Sequence, residues 1–148
     1  MLPFIKNKKG FTLIELLVVI AILSILLVIV LVAINPARQT QKARNTQRRA
    51  DVLTILNAVN QYFVDNGDFP AGGFSTCPAT DTIGKTATKD LDATLVPTYV
   101  AAMPVDPNTT FDQNDTGYTI CESASDRITV YAPESLNDGE ATTISATR

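Results

Sequence analysis

The feature that most constrains this chain is an uninterrupted apolar run behind a short basic leader. From Phe11 to Ile34 the polar side chains are Thr12, Glu15 and Ser24. At ~1.5 Å per residue such a run forms roughly 36 Å of helix, enough to cross a hydrocarbon core of about 30 Å. A cleaved secretory signal has a shorter apolar core of about 7 to 15 residues. The run therefore predicts a membrane-spanning helix.

The carboxylate of Glu15 is the anomaly in this run. A charged residue at the centre of a membrane helix costs roughly 2.5 to 3.5 kcal/mol, and less near an end. Glu15 is therefore either a tolerated interfacial carboxylate or one that pairs with a positive group inside the membrane. If the chain is cut between Gly10 and Phe11, the new α-amine of Phe11 in a neighbouring copy is such a group. That ion pair would fix the stagger between two helices.

The segment Lys9-Gly10-Phe11-Thr12-Leu13-Ile14-Glu15-Leu16 resembles the class III signal sequence of type IV pilins and type II secretion pseudopilins. The resemblance covers residues 1–35. It implies that a membrane prepilin peptidase cuts after Gly10 and methylates the amine of Phe11. It also implies that Glu15 aligns subunits during assembly and that an inner-membrane assembly platform is a partner.

The resemblance implies an α+β fold, in which a long N-terminal helix packs on a small antiparallel sheet. The expected parts are a leader at 1–10, a transmembrane and assembly helix at 11–35, and an exported globular domain at 36–148. That domain includes the C-terminal half of the long helix. Proline removes a helical hydrogen bond, so Pro36 marks either a kink or a plain helix end.

Downstream of Pro36 the spacing of apolar residues predicts an amphipathic helix that ends near Gly67, a natural left-handed C-cap. Its predicted apolar face comprises Val52, Leu53, Leu56, Val59, Tyr62 and Phe63. The sheet is expected to pack on this face at Leu53, Leu56, Val59 and Phe63.

Further elements are predicted from composition. Residues 71–90 are rich in Gly, Thr, Ser and Asp and indicate a surface loop, and Pro97 ends a short helical turn predicted within Lys89 to Val100. β-Branched and aromatic residues predict strands at Tyr118 to Glu122, Ile128 to Ala132 and, more weakly, Thr142 to Ala146.

The charges are sorted along the chain. Residues 36–49, the basic band, carry five basic side chains and no acid, whereas residues 50–148 carry four basic and 14 acidic side chains. The acidic part argues against a general nucleic-acid-binding surface. The band is either a solvated face near lipid headgroups or a surface that meets acidic domains of neighbouring copies.

The positive-inside rule alone would keep the C-terminal domain in the cytoplasm, because three lysines precede the apolar run and five basic residues follow it. The resemblance instead implies a cytoplasmic leader and an exported domain.

The two cysteines, Cys77 and Cys121, form either a disulfide, as their even count in an exported domain suggests, or two unpaired buried thiols. No cofactor is expected. Calcium is considered for two sets of oxygen ligands, because hard cations prefer such ligands. The first set is Asp106, Asp112, Asn114 and Asp115. The second set is implied by the resemblance to major pseudopilins, which bind calcium in a C-terminal loop, and comprises Asn137, Asp138 and Glu140.

The sequence contains no His, which removes the usual general base of hydrolytic triads, so no enzyme is expected.

The resemblance implies a structural subunit of a type IV pilus or related filament, a homo-oligomer assembled through its hydrophobic helix. It would be a single-pass protein in membrane lipid before assembly and part of a cell-surface filament afterwards. The alternative is a pseudopilin or minor pilin of a type II secretion or DNA-uptake machine. Pro104-Val105-Asp106-Pro107 resembles a pseudopilin turn, although the Trp-Gly that often follows is replaced here by Asn108-Thr109.

Overall fold

The computed structural model describes residues 10–148 and divides the chain into two compact units. One unit ends at Gln39 and the other comprises Thr40–Arg148. The first unit contains helix α1, Leu13–Ile34, whose most apolar window has a mean hydropathy of 3.6. Its 22 residues extend over about 33 Å, which is sufficient to span a membrane.

The helix break predicted at Pro36 is present. Asn35 ends α1 in the left-handed conformation, with φ of 47°, and Pro36 is the first residue of helix α2, Pro36–Asn66. The backbone N–H of Arg38 donates to the carbonyl oxygen of Asn35 at 3.1 Å, and to its Oδ1 at 3.4 Å. Asn35 therefore closes one helix and opens the next, while Pro36 occupies the position where a missing N–H is harmless.

Helix α2 ends where the sequence predicted. Gly67 has φ of 75°, and its N–H donates to the carbonyl of Phe63 at 2.8 Å, which satisfies one of the last carbonyls of the helix. The predicted apolar face is partly wrong. Leu53 is 51% exposed, whereas Ile55, which was left out of the prediction, is buried.

The buried residues of α2 explain this correction. They recur at intervals of three and four along one side of the helix, at Asn45, Arg48, Val52, Ile55, Leu56, Ala58 and Val59. Leu53 lies about 100° around the helix from Val52, on the side opposite to Ile55, and so lies outside this row. Phe63 lies in the last turn, remains 40% exposed, and stacks on Phe69 with ring centroids 4.5 Å apart.

The second unit contains one antiparallel sheet with strand order β1-β2-β3-β4. Its strands are β1, Asp81–Thr82; β2, Thr119–Glu122; β3, Ile128–Ala132; and β4, Ile144–Thr147. Ile120 pairs with Val130, which pairs with Ala146. The α+β prediction is confirmed, but β1 was missed and β4 is shifted toward the C-terminus relative to the predicted strand. A one-turn helix α3, Asp92–Leu95, lies within the predicted helical turn and ends before Pro97.

The core lies between α2 and the sheet, and the segment predicted as a surface loop contributes to it. Ile83 is fully buried, as are Leu91 and Leu95 farther along. A Cβ added to Gly84 would overlap the backbone carbonyl of Asn114, so this position admits only glycine without a backbone shift. The 71–90 segment is therefore partly a packed element rather than a loose surface loop.

Candidate assembly site

The predicted cleavage bond lies just before α1. Gly10 and Phe11 are non-helical and exposed, and a Cβ added to Gly10 would meet no atom within 4 Å. A protease can reach a bond that is exposed in this way. Cleavage after Gly10 and methylation of Phe11 stay predictions.

Thr12 and Glu15 form a capping box at the start of α1. The N–H and the hydroxyl of Thr12 donate to Glu15 Oε2 at 2.9 and 2.8 Å, and the Glu15 N–H donates to Thr12 Oγ1 at 3.3 Å. This reciprocal pattern satisfies backbone donors that a helix N-terminus otherwise leaves free. Thr12 is thus a site residue that the sequence analysis did not single out, although the Thr-x-x-Glu spacing signals it.

The carboxylate of Glu15 is only half used by this box. Both donors from Thr12 reach Oε2, and within residues 10–148 no hydrogen bond reaches Oε1. Around the carboxylate lies an open hollow of about 350 Å³, whose other lining residues are apolar: Phe11, Ile14, Val18 and Val19. The helix start therefore presents one free anionic oxygen within an apolar surface.

The basic band is largely neutralised within the chain. Arg44 Nε lies 3.0 Å from Asp138 Oδ2, and Arg49 Nη2 donates to Glu140 at 2.6 Å. Arg48 is buried between Asp106 and Asp138. Each of these three arginines thus has an acidic partner within its own chain, and contact of the basic band with headgroups or with neighbouring copies stays a prediction.

Arg48 is the centre of an ionic cluster formed by Arg44, Asn45, Arg48, Asp106 and Asp138. Its Nε and Nη2 bind both oxygens of Asp106 at 2.7 and 2.8 Å, while Nη1 donates to Asp138 at 2.6 Å and to Asn45 Oδ1 at 2.8 Å. The hydrogen bonds to Asp106, together with those to Asp138 and against the effect of burial, raise the pKa of Arg48 above its ordinary value. The cluster joins α2 to two distant segments of the chain.

A second buried contact lies nearby. The hydroxyl of Tyr118, which is fully buried, donates to Asp51 Oδ2 at 2.8 Å. Burial raises the pKa of the Asp51 carboxyl above its ordinary value, although hydrogen bonds from Tyr118 and Gln47 oppose the shift. Asp51 therefore binds a proton more readily in the folded chain than in the unfolded one.

The acids considered for calcium have protein partners in this structure. Asp106 and Asp138 bind Arg48, and Glu140 binds Arg49. Asp112 accepts the N–H groups of Asn114 and Asp115 in a turn, and these hydrogen bonds lower the pKa of its carboxyl. Across residues 10–148, no three His, Cys, Asp or Glu side chains are grouped so as to hold a metal ion.

The two cysteines are joined. Cys77 and Cys121 form a disulfide with Cα atoms 5.3 Å apart, as the sequence suggested. The bond connects the segment after α2 to strand β2, beside the backbone hydrogen bond from Cys77 N–H to Glu122 at 2.9 Å. The alternative of two unpaired thiols is therefore wrong for this structure.

Comparisons with known proteins agree with the N-terminal geometry. Residues 5–31 match the family model of the prokaryotic N-terminal methylation motif. A fimbrial protein of Neisseria meningitidis serogroup A is 39% identical over 77 residues, which cover 51% of this chain and 43% of that protein. A fimbrial protein of serogroup B is 40% identical over 75 residues, which cover 49% of this chain and 42% of the relative.

These matches span less than half the length of either relative. No solved structure matches the chain. The methylation motif and the two fimbrial relatives support the resemblance of this chain to type IV pilins. The long apolar helix and the small antiparallel sheet fit the layout that this resemblance implies.

Proposed function

We propose that this chain is a structural subunit of a type IV pilus or related filament. In this proposal prepilin peptidase cuts after Gly10 and methylates Phe11, and the mature chain assembles through α1. The observation that carries the proposal concerns Glu15 at the start of a 22-residue apolar helix: among residues 10–148 no hydrogen bond reaches its Oε1. A carboxylate in lipid gains most from a cation held nearby, and the exposed amine of Phe11 in another copy is such a cation.

The setting of α1 supports assembly by helix packing. All of its side chains are exposed in the single chain, so each must be covered by lipid or by other copies. Before assembly the chain is a single-pass membrane protein with a cytoplasmic leader and an outer domain. Afterwards α1 lies in the filament core and the domain on the cell-surface filament. The partners are copies of the chain, the peptidase, the assembly platform and membrane lipid, and the role is structural rather than enzymatic.

Substitutions at Glu15 and Thr12 separate charge from helix capping. Glu15→Gln removes the charge but keeps a residue that can complete the capping box, whereas Thr12→Val removes the box and keeps the charge. We expect Glu15→Gln to insert and be processed normally but to yield few filaments. Thr12→Val is the matched control and is expected to retain more filaments. Wild-type filament yield in Glu15→Gln cells, measured by electron microscopy and shearing, would refute the proposed role of the charge.

The processing step has its own test. Gly10→Leu is expected to leave the leader attached, and mass spectrometry of the wild-type protein is expected to find an N-methylated Phe11. A mature protein that begins at Met1 in cells that contain the peptidase contradicts the proposal.

The alternative role is that of a pseudopilin or minor pilin in a secretion or DNA-uptake machine. The resemblance of Pro104-Val105-Asp106-Pro107 to a pseudopilin turn favours this alternative, and Arg48 holds Asp106 of this turn by two hydrogen bonds. Counting copies per cell separates the two roles. Abundant long filaments indicate a major pilin, whereas low copy number without long filaments indicates a minor component.

A further inference from the structure

A polar groove lies beside the C-terminal half of α2, away from the assembly site. Its volume is about 500 Å³, and side chains from α2, from the segment after α3 and from the end of β4 line it. Six of its lining residues carry polar groups that can contact a ligand: Asn57, Asn60, Gln61, Asp65, Tyr99 and Arg148. Neither the capping box of α1 nor the ionic cluster includes any of them.

Four contacts fix parts of the walls of this groove. Arg148 Nη1 donates to Asn57 Oδ1 at 2.9 Å, and Asn60 Nδ2 donates to the carbonyl of Leu56 at 2.7 Å. The hydroxyl of Tyr99 accepts a hydrogen bond from Asn66 at 3.2 Å. The ring of Tyr99 also packs edge-on against Tyr62, with centroids 5.6 Å apart. Asn57, Asn60, Tyr99 and Arg148 are thus held before any ligand arrives, which lowers the ordering cost of binding at these four side chains.

The remaining polar atoms form a mixture of donors and acceptors. Asn57 keeps its amide nitrogen as a donor, and Asn60 keeps its amide oxygen as an acceptor. Gln61 offers both kinds of atom and Asp65 offers two acceptor oxygens. Within residues 10–148 no hydrogen bond or ion pair occupies the side chains of Gln61 and Asp65.

We propose that this groove binds a neutral pyranose ring of a glycan. Each sugar hydroxyl donates one hydrogen bond and accepts others, so vicinal hydroxyls use neighbouring donors and acceptors together, whereas a phosphate would use only the donors. The charges of Asp65 and Arg148 offset each other, which favours a neutral ligand over an acidic one. The Tyr99 ring supplies an apolar wall for the C–H face of the sugar. The volume accommodates one or two rings and lies within the usual range of ligand pockets.

The test uses the full chain in detergent micelles and measures binding by calorimetry. The probes are lactose, N-acetyllactosamine, maltotriose and chitobiose, with sialyllactose as the acidic comparison. We expect saturable binding of at least one neutral sugar. Asp65→Asn should weaken it about tenfold and Gln61→Ala about threefold, since a hydrogen bond to a charged group contributes more than a neutral one. Asp68→Asn, an exposed carboxylate just beyond α2, is the matched control and should bind as wild type does.

Each other outcome overturns the proposal. These outcomes are no saturable binding to any neutral probe, binding of sialyllactose alone, and binding that Asp65→Asn and Gln61→Ala leave unchanged. If these variants lose filaments while no sugar binds, the groove is a contact between copies and the glycan site is refuted. Binding is measured without filaments, so failure here leaves the proposed filament function intact, and the Glu15 experiment leaves the groove untouched.

Discussion

Replacing Arg48 with methionine is expected to destabilise the second unit far more than the same change one position later. The Arg48 and Asp106 side chains are 1% and 0% exposed, and Asp138 is 10% exposed. Removing the guanidinium leaves Asp106 without its buried counter-charge, whereas Asp138 keeps its ion pair with Arg44. Breaking a buried ion pair from one side costs about 3 to 5 kcal/mol. Whole domains are stable by only about 5 to 15 kcal/mol, so this is a large part of the total.

Arg49→Met is the matched control. Arg49 makes one short bond to Glu140, at 2.6 Å, but the two side chains are 53% and 30% exposed. Exposed ion pairs contribute about 0.2 to 1 kcal/mol, so the loss should be several times smaller than at Arg48. A third variant combines Arg48→Met with Asp106→Asn and Asp138→Asn. It should regain part of the loss, because no unpaired carboxylate is then buried.

The assay is urea unfolding of the full, oxidised chain in detergent, followed by near-ultraviolet circular dichroism. The chain has no Trp, and its four Tyr lie within Thr40–Arg148, so the tyrosine part of this signal reports the second unit alone. Equal losses in the Arg48 and Arg49 variants would refute the reasoning. A triple variant that regains nothing would show that packing of the arginine stem, rather than charge, accounts for the loss.

Three further outcomes are expected in the same assay. Gly84→Ala should abolish or strongly reduce the unfolding transition. Gly72→Ala, at φ of 74° with open space around it, should lower the free energy of unfolding by only about 1 kcal/mol. Similar effects of the two substitutions would contradict the close packing at Gly84. Asp51→Asn should be at least as stable as wild type at pH 7. Because the folded pKa of Asp51 is raised, its favourable contribution is present at low pH and is lost as pH rises through that pKa, so the advantage of Asn should shrink toward pH 4; a growing advantage contradicts this sign. Replacing both Cys77 and Cys121 with serine should cost roughly 4 kcal/mol, the chain-entropy value for a loop of this length, and an unchanged transition would show that the bond is dispensable.

The sequence sufficed for features that depend on neighbouring residues. The apolar run gives α1, the Asn-Pro pair gives the break after Ile34, and Gly67 ends α2. β-Branched residues separated by a short polar turn give β2 and β3. These signals are local, because capping, proline geometry and alternation act within a few residues.

Features that depend on distant residues were predicted less well. Arg48 is separated from Asp106 by 58 positions, so no local pattern pairs them or shows which arginine of the basic band is buried. Leu53 and Ile55 are equally apolar, and only the position of the sheet decides which is buried. Strand β1 has two residues and is set by its pairing with β2, not by its own composition.

Apolar side chains surround almost the whole circumference of α1. The hydroxyl of Ser24, in the middle of α1, donates to the carbonyl of Ile20 at 2.7 Å. Ser24 therefore does not give the helix a polar face. Along most of its length, α1 presents a similar apolar surface in every direction, so its rotation about its own axis in an apolar environment costs little energy. The rotation of α1 about its axis, and its position along that axis relative to other copies, must then be fixed by the polar end that carries Thr12 and Glu15.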